Sequence, residues 1–391
     1  MENSVYYNPT KIIFGKGTEE QIGREVAERA DRVLLHYGGK SAEKSGLLGR
    51  VRASLKAAGV DVYELGGVKP NPRLSLVYEG IQMCRTNSIG LILAVGGGSV
   101  IDSSKAIAFG TTNTKDVWHY MMTKEPLQSP ALPVATILTI PGAGSESSSG
   151  TVITNDETMV KVPYNDLKLR PVLSILNPEI TYTIPKQHAA AGIVDAFTHI
   201  LERYFTQTKA VDVTDKMCEA VMRSIIKYGK RAILEPENYD VRAEIMWACK
   251  LAHDGSLGMG RLEEWSSHQI EHELSAKYDI SHGAGLAIIY PAWMKHVYAA
   301  GRNRFIQFAI HVMGAEFNVD DPERTIFDGI SRLKAFFESL GLPATLQDAG
   351  IPANEDFAAM AERCIANSGG SLGKFMPLTA KDVEEIYKSA L

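Results

Sequence analysis

The sequence predicts two domains: an α/β domain built on a parallel sheet over residues 1–184, and an all-helical domain over residues 185–391. Three observations carry this. Short β-rich runs alternate with helical stretches through the first half, the pattern of a parallel sheet covered by helices. One run, Ile89-Gly-Leu-Ile-Leu-Ala-Val95, is apolar almost throughout, as in a strand buried on both faces. Past Asn177-Pro178 and Ile184-Pro185, β-like runs nearly vanish and apolar residues recur at three-and-four spacing.

In chain order, Val33-Leu-Leu-His-Tyr37 reads as a strand, Gly38-Gly39 as its turn, and the stretch to about Ala58 as a helix. Asp61-Val-Tyr-Glu-Leu65 follows as the next strand and completes a βαβ unit. A helix from Arg73 to Arg85 leads into the buried strand, which Gly96-Gly97-Gly98-Ser99 terminates, and Val100 to Phe109 has helical spacing. Val134 to Ile140 is a further strand. Thr151 to Thr154 and Met159 to Val162 form a hairpin around Asn155-Asp156, and Val172 to Leu176 closes the sheet. In the second half, Val211 to Leu234, Val241 to His253 and Thr325 to Leu340 read as long amphipathic helices.

Composition excludes whole classes of function. Hydrophobic residues make up 45% and charged ones 22%, the balance of a folded protein. The net charge of −5 does not suit nucleic acid or an anionic membrane surface as partner. Apolar runs fall well short of the ~18 residues that span a bilayer. The N-terminal Met-Glu-Asn-Ser-Val-Tyr-Tyr has neither the basic region nor the apolar core of a signal peptide, so a cytoplasmic location is expected. Cys84, Cys218, Cys249 and Cys364 lie too far apart for a CxxC knuckle and read as buried thiols.

Two constellations carry chemistry. The first is the glycine cradle Gly96 to Ser99, with Asp102 one turn into the following helix. Backbone N–H groups and the helix dipole at such a turn favour an anion, most often phosphate. Gly38-Gly39-Lys40-Ser41 occupies the same strand-to-helix position one unit earlier, so two turns could line one edge of the sheet. Pro141-Gly-Ala-Gly-Ser-Glu-Ser-Ser-Ser-Gly150 follows a third strand. Neither of the two glycine turns matches GxGxxG. The second constellation is Asp195 and His199, four apart on a helix and therefore on one face, with His268 and His282 downstream. One carboxylate and three imidazoles make a mixed oxygen and nitrogen shell suited to Zn²⁺ or Fe²⁺. A rival lies inside it: His268-Gln-Ile-Glu271-His272 spells HxxEH, the inverted zincin signature of a metallopeptidase. Trp118, Met259 and Trp265 are candidate apolar walls for a substrate.

The cradle Gly96-Gly-Gly-Ser-x-x-Asp102, the run Gly142-x-Gly-Ser-Glu146, the block Gly192-x-Val-Asp-Ala-x-x-His199 and the pair His268 and His282 resemble the iron-containing, or group III, alcohol dehydrogenases. The butanol dehydrogenase and aldehyde reductase branch is the nearest in pattern. The resemblance implies a Rossmann-like dinucleotide-binding domain, an all-α domain and one divalent metal, the fold shared with dehydroquinate synthase. It implies hydride transfer between NAD(P)H and a small aldehyde or primary alcohol, such as butanal and butanol, by a homodimer. A lyase of the dehydroquinate synthase type on the same scaffold is the alternative. Carried over position by position, the metal ligands are Asp195, His199, His268 and His282, and His272 is a proton relay near the substrate. The cofactor pyrophosphate falls on Gly97, Gly98 and Ser99, with Asp102 nearby. Thr139, Ile140, Ser148 and Lys161 line the rest of the cofactor groove, and Asn71 marks its adenosine end. Members selective for NAD place an aspartate where this chain has Gly39. With Lys40, Ser41 and Lys44 beside it, that position offers space, donors and positive charge and favours NADP(H) over NAD(H), with Gly38 in the same cofactor-binding turn.

Overall fold

The computed structural model describes all 391 residues. They divide into two compact units, one made of 7–185 with 235–250, the other of 1–6, 186–234 and 251–391. A single cut at 184/185 therefore describes the division only in part: the first six residues count with the helical unit, and 235–250 with the α/β unit.

The α/β unit contains, in order, β1 (Lys11–Phe14), α1 (Ile22–Ala27), β2 (Arg32–Tyr37), α2 (Ser41–Lys44), α3 (Leu47–Ala57), β3 (Asp61–Leu65), α4 (Leu74–Thr86), β4 (Leu91–Gly96), α5 (Gly98–Thr112), α6 (Val117–Thr123), β5 (Val134–Leu138), β6 (Gly150–Asn155), β7 (Val160–Asn165) and β8 (Leu173–Leu176). Six strands form one sheet in the order β1-β8-β5-β4-β2-β3, every neighbouring pair parallel. β6 and β7 are the antiparallel hairpin around Asn155-Asp156. Alternate residues of the central strands enter two cores, as the period of a strand buried on both faces requires. Val33, Leu35, Leu91 and Leu93 pack with Ile22, Val26, Val51 and Leu55 of α1 and α3. Leu34 and Ile92 pack with Val77, Ile81, Ile107 and Phe109 of α4 and α5. The chain runs from β2 outward to β3, then returns to place β4 on the other side of β2. That reversal makes the carboxyl ends of β2 and β4 the point where open parallel sheets bind ligands.

His36, the last but one residue of β2, is fully buried. Its Nδ1 lies 2.7 Å from the Leu65 carbonyl and its Nε2 2.9 Å from Ser103 Oγ, tying β2 to β3 and α5. Burial pushes its pKa down to about 4, partly offset by the Leu65 carbonyl. The unfolded chain therefore takes up a proton that the folded one refuses. The stability due to the neutral imidazole is complete above pH ~6.5 and falls as the pH drops toward 4, by about 3 kcal/mol in all. Denaturant unfolding of wild type and His36→Gln across this range should show the variant with the shallower slope; parallel slopes would refute the assignment.

The second unit is helical: α7 (Lys186–Tyr204), α8 (Asp212–Leu234), the end of α9 (Tyr239–His253), α10 (Ser266–Tyr278), α11 (His282–Val297), α12 (Arg302–His311), α13 (Pro322–Ser339), α14 (Phe357–Asn367) and α15 (Ala380–Ser389). α7 is buried along nearly its whole length. No helix is long and apolar enough to cross a membrane, and all four cysteines are buried and unpaired by disulfide.

Candidate functional site

In the helical unit, three elements converge. α7 supplies Asp195 and His199 one turn apart, with His199 Nδ1 3.7 Å from Asp195 Oδ1. α10 supplies His268. α11 supplies His282 as its first residue, with Nε2 3.9 Å from Asp195 Oδ1. Asp195, His268 and His282 each offer a ligand atom, and these atoms all lie within 4.8 Å of one another. His199 is outside that set of three but adjoins it, its ring stacked on His268 at 4.8 Å and 14°. α11 reaches this position because Gly283 and Gly285 carry no side chain. A Cβ at Gly283 would sit 2.0 Å from the Ala191 carbonyl oxygen of α7, and one at Gly285 2.5 Å from Glu271 Oε1.

Two buried carboxylates stand behind the imidazoles. Glu202 Oε1 is 2.6 Å from His268 Nδ1, and Glu271 Oε2 is bonded to His282 Nδ1. Both carboxylates are wholly buried. Glu202 also accepts from Ser267 Oγ and from the Trp265 N–H at 2.8 Å, and Glu271 from Ser275 Oγ. A carboxylate on Nδ1 keeps the proton there and leaves the Nε2 lone pair facing the other way, the arrangement that orients histidine ligands of metals. His268 Nε2 is indeed buried with no hydrogen-bond partner, as is His199 Nδ1. Burial, with the neighbouring His253, His268, Arg203 and His282 adding to it, lowers the His199 pKa well below its usual value and keeps the ring neutral. Buried acceptor atoms without partners cost free energy unless something else satisfies them. Neutral imidazoles, one carboxylate and a backing carboxylate behind two of the rings fit a divalent cation.

Trp265 caps α10 with a left-handed backbone (φ 70°, ψ 0°), a conformation that is strained for a bulky residue by about 1–3 kcal/mol. It is held there from both sides. Its N–H binds Glu202, its Nε1 donates to Glu263 Oε2 at 2.7 Å, and the Arg203 guanidinium lies 4.9 Å over its ring. The indole is 5.1 Å from the His268 ring and 5.6 Å from that of His199. Trp118 lies in the α/β unit, against the core of α4 and α5. His272 is buried, its ring 5.3 Å from that of His282. Glu271 is buried against His282 and Ser275, so the HxxEH helix does not present its glutamate as a base to a bound water.

In the α/β unit, the nucleotide candidates gather at the carboxyl ends of adjacent strands. β2 runs into Gly38 and Gly39, β4 into Gly97 and the α5 N-terminus, and β5 into Thr139 and Ile140. The Thr139 N–H donates to the Gly96 carbonyl at 3.0 Å. A Cβ at Gly97 would come within 3.0 Å of Ile140 Cβ, and one at Gly98 within 3.0 Å of Ala143 Cβ, so the cradle is closed to any larger residue without movement of its neighbours. Ser99 lies in the first turn of α5, and Ser41 begins α2. Asn71, left-handed at φ 52°, accepts from Lys161 Nζ at 3.0 Å. The Asp102 carboxylate is engaged by Ser145 Oγ and, at 3.0 Å, by the Val152 N–H. Ser148 accepts from Lys105, a fully buried lysine of α5.

Sequence reasoning missed Glu202, His253, whose ring is 4.2 Å from that of His199, and Lys105. Glu202 carried a usable signal: it is three residues beyond His199 and seven beyond Asp195, on the same helix face.

Residues 9–178 match the family described as iron-containing alcohol dehydrogenase, and 189–391 its C-terminal family. The chain is 42% identical over 387 residues to NADH-dependent butanol dehydrogenase A of Clostridium acetobutylicum, covering 98% of both chains. It is 36% identical over 392 residues to the NADPH-dependent aldehyde reductase YqhD of Escherichia coli, covering all of both. The crystal structure of an NADH-dependent butanol dehydrogenase A from Thermotoga maritima superposes with a TM-score of 0.95 at 40% identity, over 100% of this chain and 99% of that one. With matches across both units and the same fold, this chain belongs to the iron-containing alcohol dehydrogenase family.

Proposed function

We propose that this chain is a metal-dependent NAD(P)H oxidoreductase that interconverts short aldehydes and primary alcohols, with butanal and butanol as the test pair. The observation that carries it is the convergence of Asp195, His268 and His282, each imidazole of this set backed by a buried carboxylate on Nδ1. Asp195, His199, His268 and His282 would hold a divalent metal, which when bound would supply a Lewis acid for the substrate oxygen, while a bound nicotinamide would supply or take the hydride.

The residues of the chain have separable tasks. Glu202 and Glu271 fix the tautomers of His268 and His282. Burial keeps His199 neutral and able to donate a lone pair. Trp265 gives the substrate an apolar surface and excludes water, which suits an unbranched carbon chain. His272 passes the one proton that the reaction needs at the substrate oxygen. The backbone at Gly97, Gly98 and Ser99 receives the pyrophosphate, with Thr139, Ile140, Ser148, Lys161 and Asn71 along the rest of the cofactor. Nothing lies within 4 Å of a Cβ built on Gly39, which with Lys40 and Ser41 leaves room and positive charge for a 2′-phosphate and supports NADP(H) over NAD(H). The relatives divide on this point, the Clostridium acetobutylicum enzyme being NADH-dependent and the Escherichia coli one NADPH-dependent. An Asp-His₃ donor set accepts both Fe²⁺ and Zn²⁺. We take the enzyme to be a cytoplasmic homodimer without nucleic-acid or membrane partners.

The test is elemental analysis of protein purified without oxygen, together with nicotinamide absorbance during incubation with butanal and either cofactor. About one metal per chain and oxidation of NADPH or NADH are expected. No turnover with any short aldehyde or alcohol after metal loading would overturn the proposal.

A further inference from the structure

Lys105 is a lysine with no exposed surface, one turn beyond Asp102 on the helix that starts at the glycine cradle. A buried ammonium is expensive unless each proton finds an acceptor. Here Nζ donates to Ser145 Oγ at 3.0 Å, to the Ser148 carbonyl at 3.0 Å and Oγ at 3.3 Å, and to the Gly150 carbonyl at 2.8 Å. All of these acceptors belong to the glycine- and serine-rich loop after β5 or to Gly150, the first residue of β6. Asp102 grips the same segment through Ser145, the Val152 N–H and, by its own carbonyl, Thr151 Oγ1 at 2.8 Å. The loop in turn brings Ala143 to the first residue of α5, where an added Cβ on Gly98 would meet it at 3.0 Å.

We propose that Lys105 is the positioning residue of the nucleotide site: its ammonium holds the 141–150 loop against the cradle in the shape that receives the cofactor phosphates. The inference rests on the nicotinamide reading of that site. Three protons on Nζ serve four acceptors. An uncharged amine has two protons and a lone pair, so it must release part of the loop.

Burial pushes the ammonium down to about 8; Asp102 and Glu146 oppose this and Arg170 adds to it. Those three are the charged groups facing it from α5, the loop and the segment before β8, and Lys168 lines the same small cavity. Phosphates brought to the cradle favour the charged form and raise its pKa in the complex. Affinity is therefore complete below about pH 8 and declines as the pH rises through it.

Calorimetric titration of the metal-loaded protein with NADPH between about pH 6.5 and 9.5 tests this. Wild type should weaken through pH ~8. Lys105→Met should bind about tenfold more weakly or worse, without that break, while keeping its metal. Ser145→Ala, which cuts one link of the staple, should weaken binding by less. Folded Lys105→Met with wild-type affinity would overturn the proposal. If that variant does not fold, a wild-type affinity that is flat across the range overturns it. Failure of wild type to bind either nicotinamide at any pH would remove the nucleotide reading, and this inference with it.

Discussion

His268→Ala should leave the protein without bound metal and lower turnover by about a thousandfold or more, while NADPH still binds. The first effect follows from geometry. His268 Nε2 is a buried atom without a protein partner, and alanine removes one of the four proposed donors from the middle of the set, between His199 and His282. The second follows from magnitude, since polarising a carbonyl oxygen is worth several kcal/mol and each 1.4 kcal/mol is a factor of ten in rate. The third follows from placement, because the cradle lies on β4 and α5 of the α/β unit. Glu202→Gln provides the finer comparison: glutamine can still accept from Nδ1 but has lost its charge, so metal affinity should fall about 10- to 100-fold with the fold intact. Inductively coupled plasma analysis and competition with a chelator measure both. His272→Ala should keep the metal and lose rate. If His272→Ala loses the metal and Asp195→Ala retains it, the ligand assignment is wrong.

Gly39→Asp should turn the proposed preference for NADP(H) toward NAD(H). The position is open, so the carboxylate fits without displacing a neighbour. Placed beside a 2′-phosphate it sets two anions together, which costs several kcal/mol, whereas a ribose with both hydroxyls gains an acceptor. NADPH efficiency should fall by about a hundredfold, and NADH efficiency should hold or rise. Steady-state kinetics with both cofactors decide it, and an unchanged ratio would place the adenosine ribose elsewhere.

Much of the architecture was legible because it is local. The apolar run of β4 marks a strand buried on both faces, and the Gly96–Ser99 turn marks its carboxyl end. Asp195 and His199 announce a shared face by their spacing alone. What could not be read depends on pairings made far apart in sequence. Glu202 on a helix reads as a solvated surface carboxylate until α10 is laid against it and His268 meets it. Glu271 read as the centre of HxxEH, when its partner is an imidazole eleven residues away, at the start of another helix. Nothing local to Lys105 shows that a loop forty residues on closes over it. The transfer of 235–250 to the α/β unit has the same cause: those residues are helical by periodicity, and periodicity does not name the surface they pack on.

The strained Trp265 gives the molecule a built-in optical reporter. Its fluorophore lies about 5 Å from the rings of two histidines, a distance at which a paramagnetic ion such as Fe²⁺ or Co²⁺ quenches emission on contact. For a cation held as proposed by His199 and His268, loading, exchange and oxidative loss can be followed in real time by rapid mixing. A Trp265→Phe control would separate its signal from those of Trp118, Trp247 and Trp293.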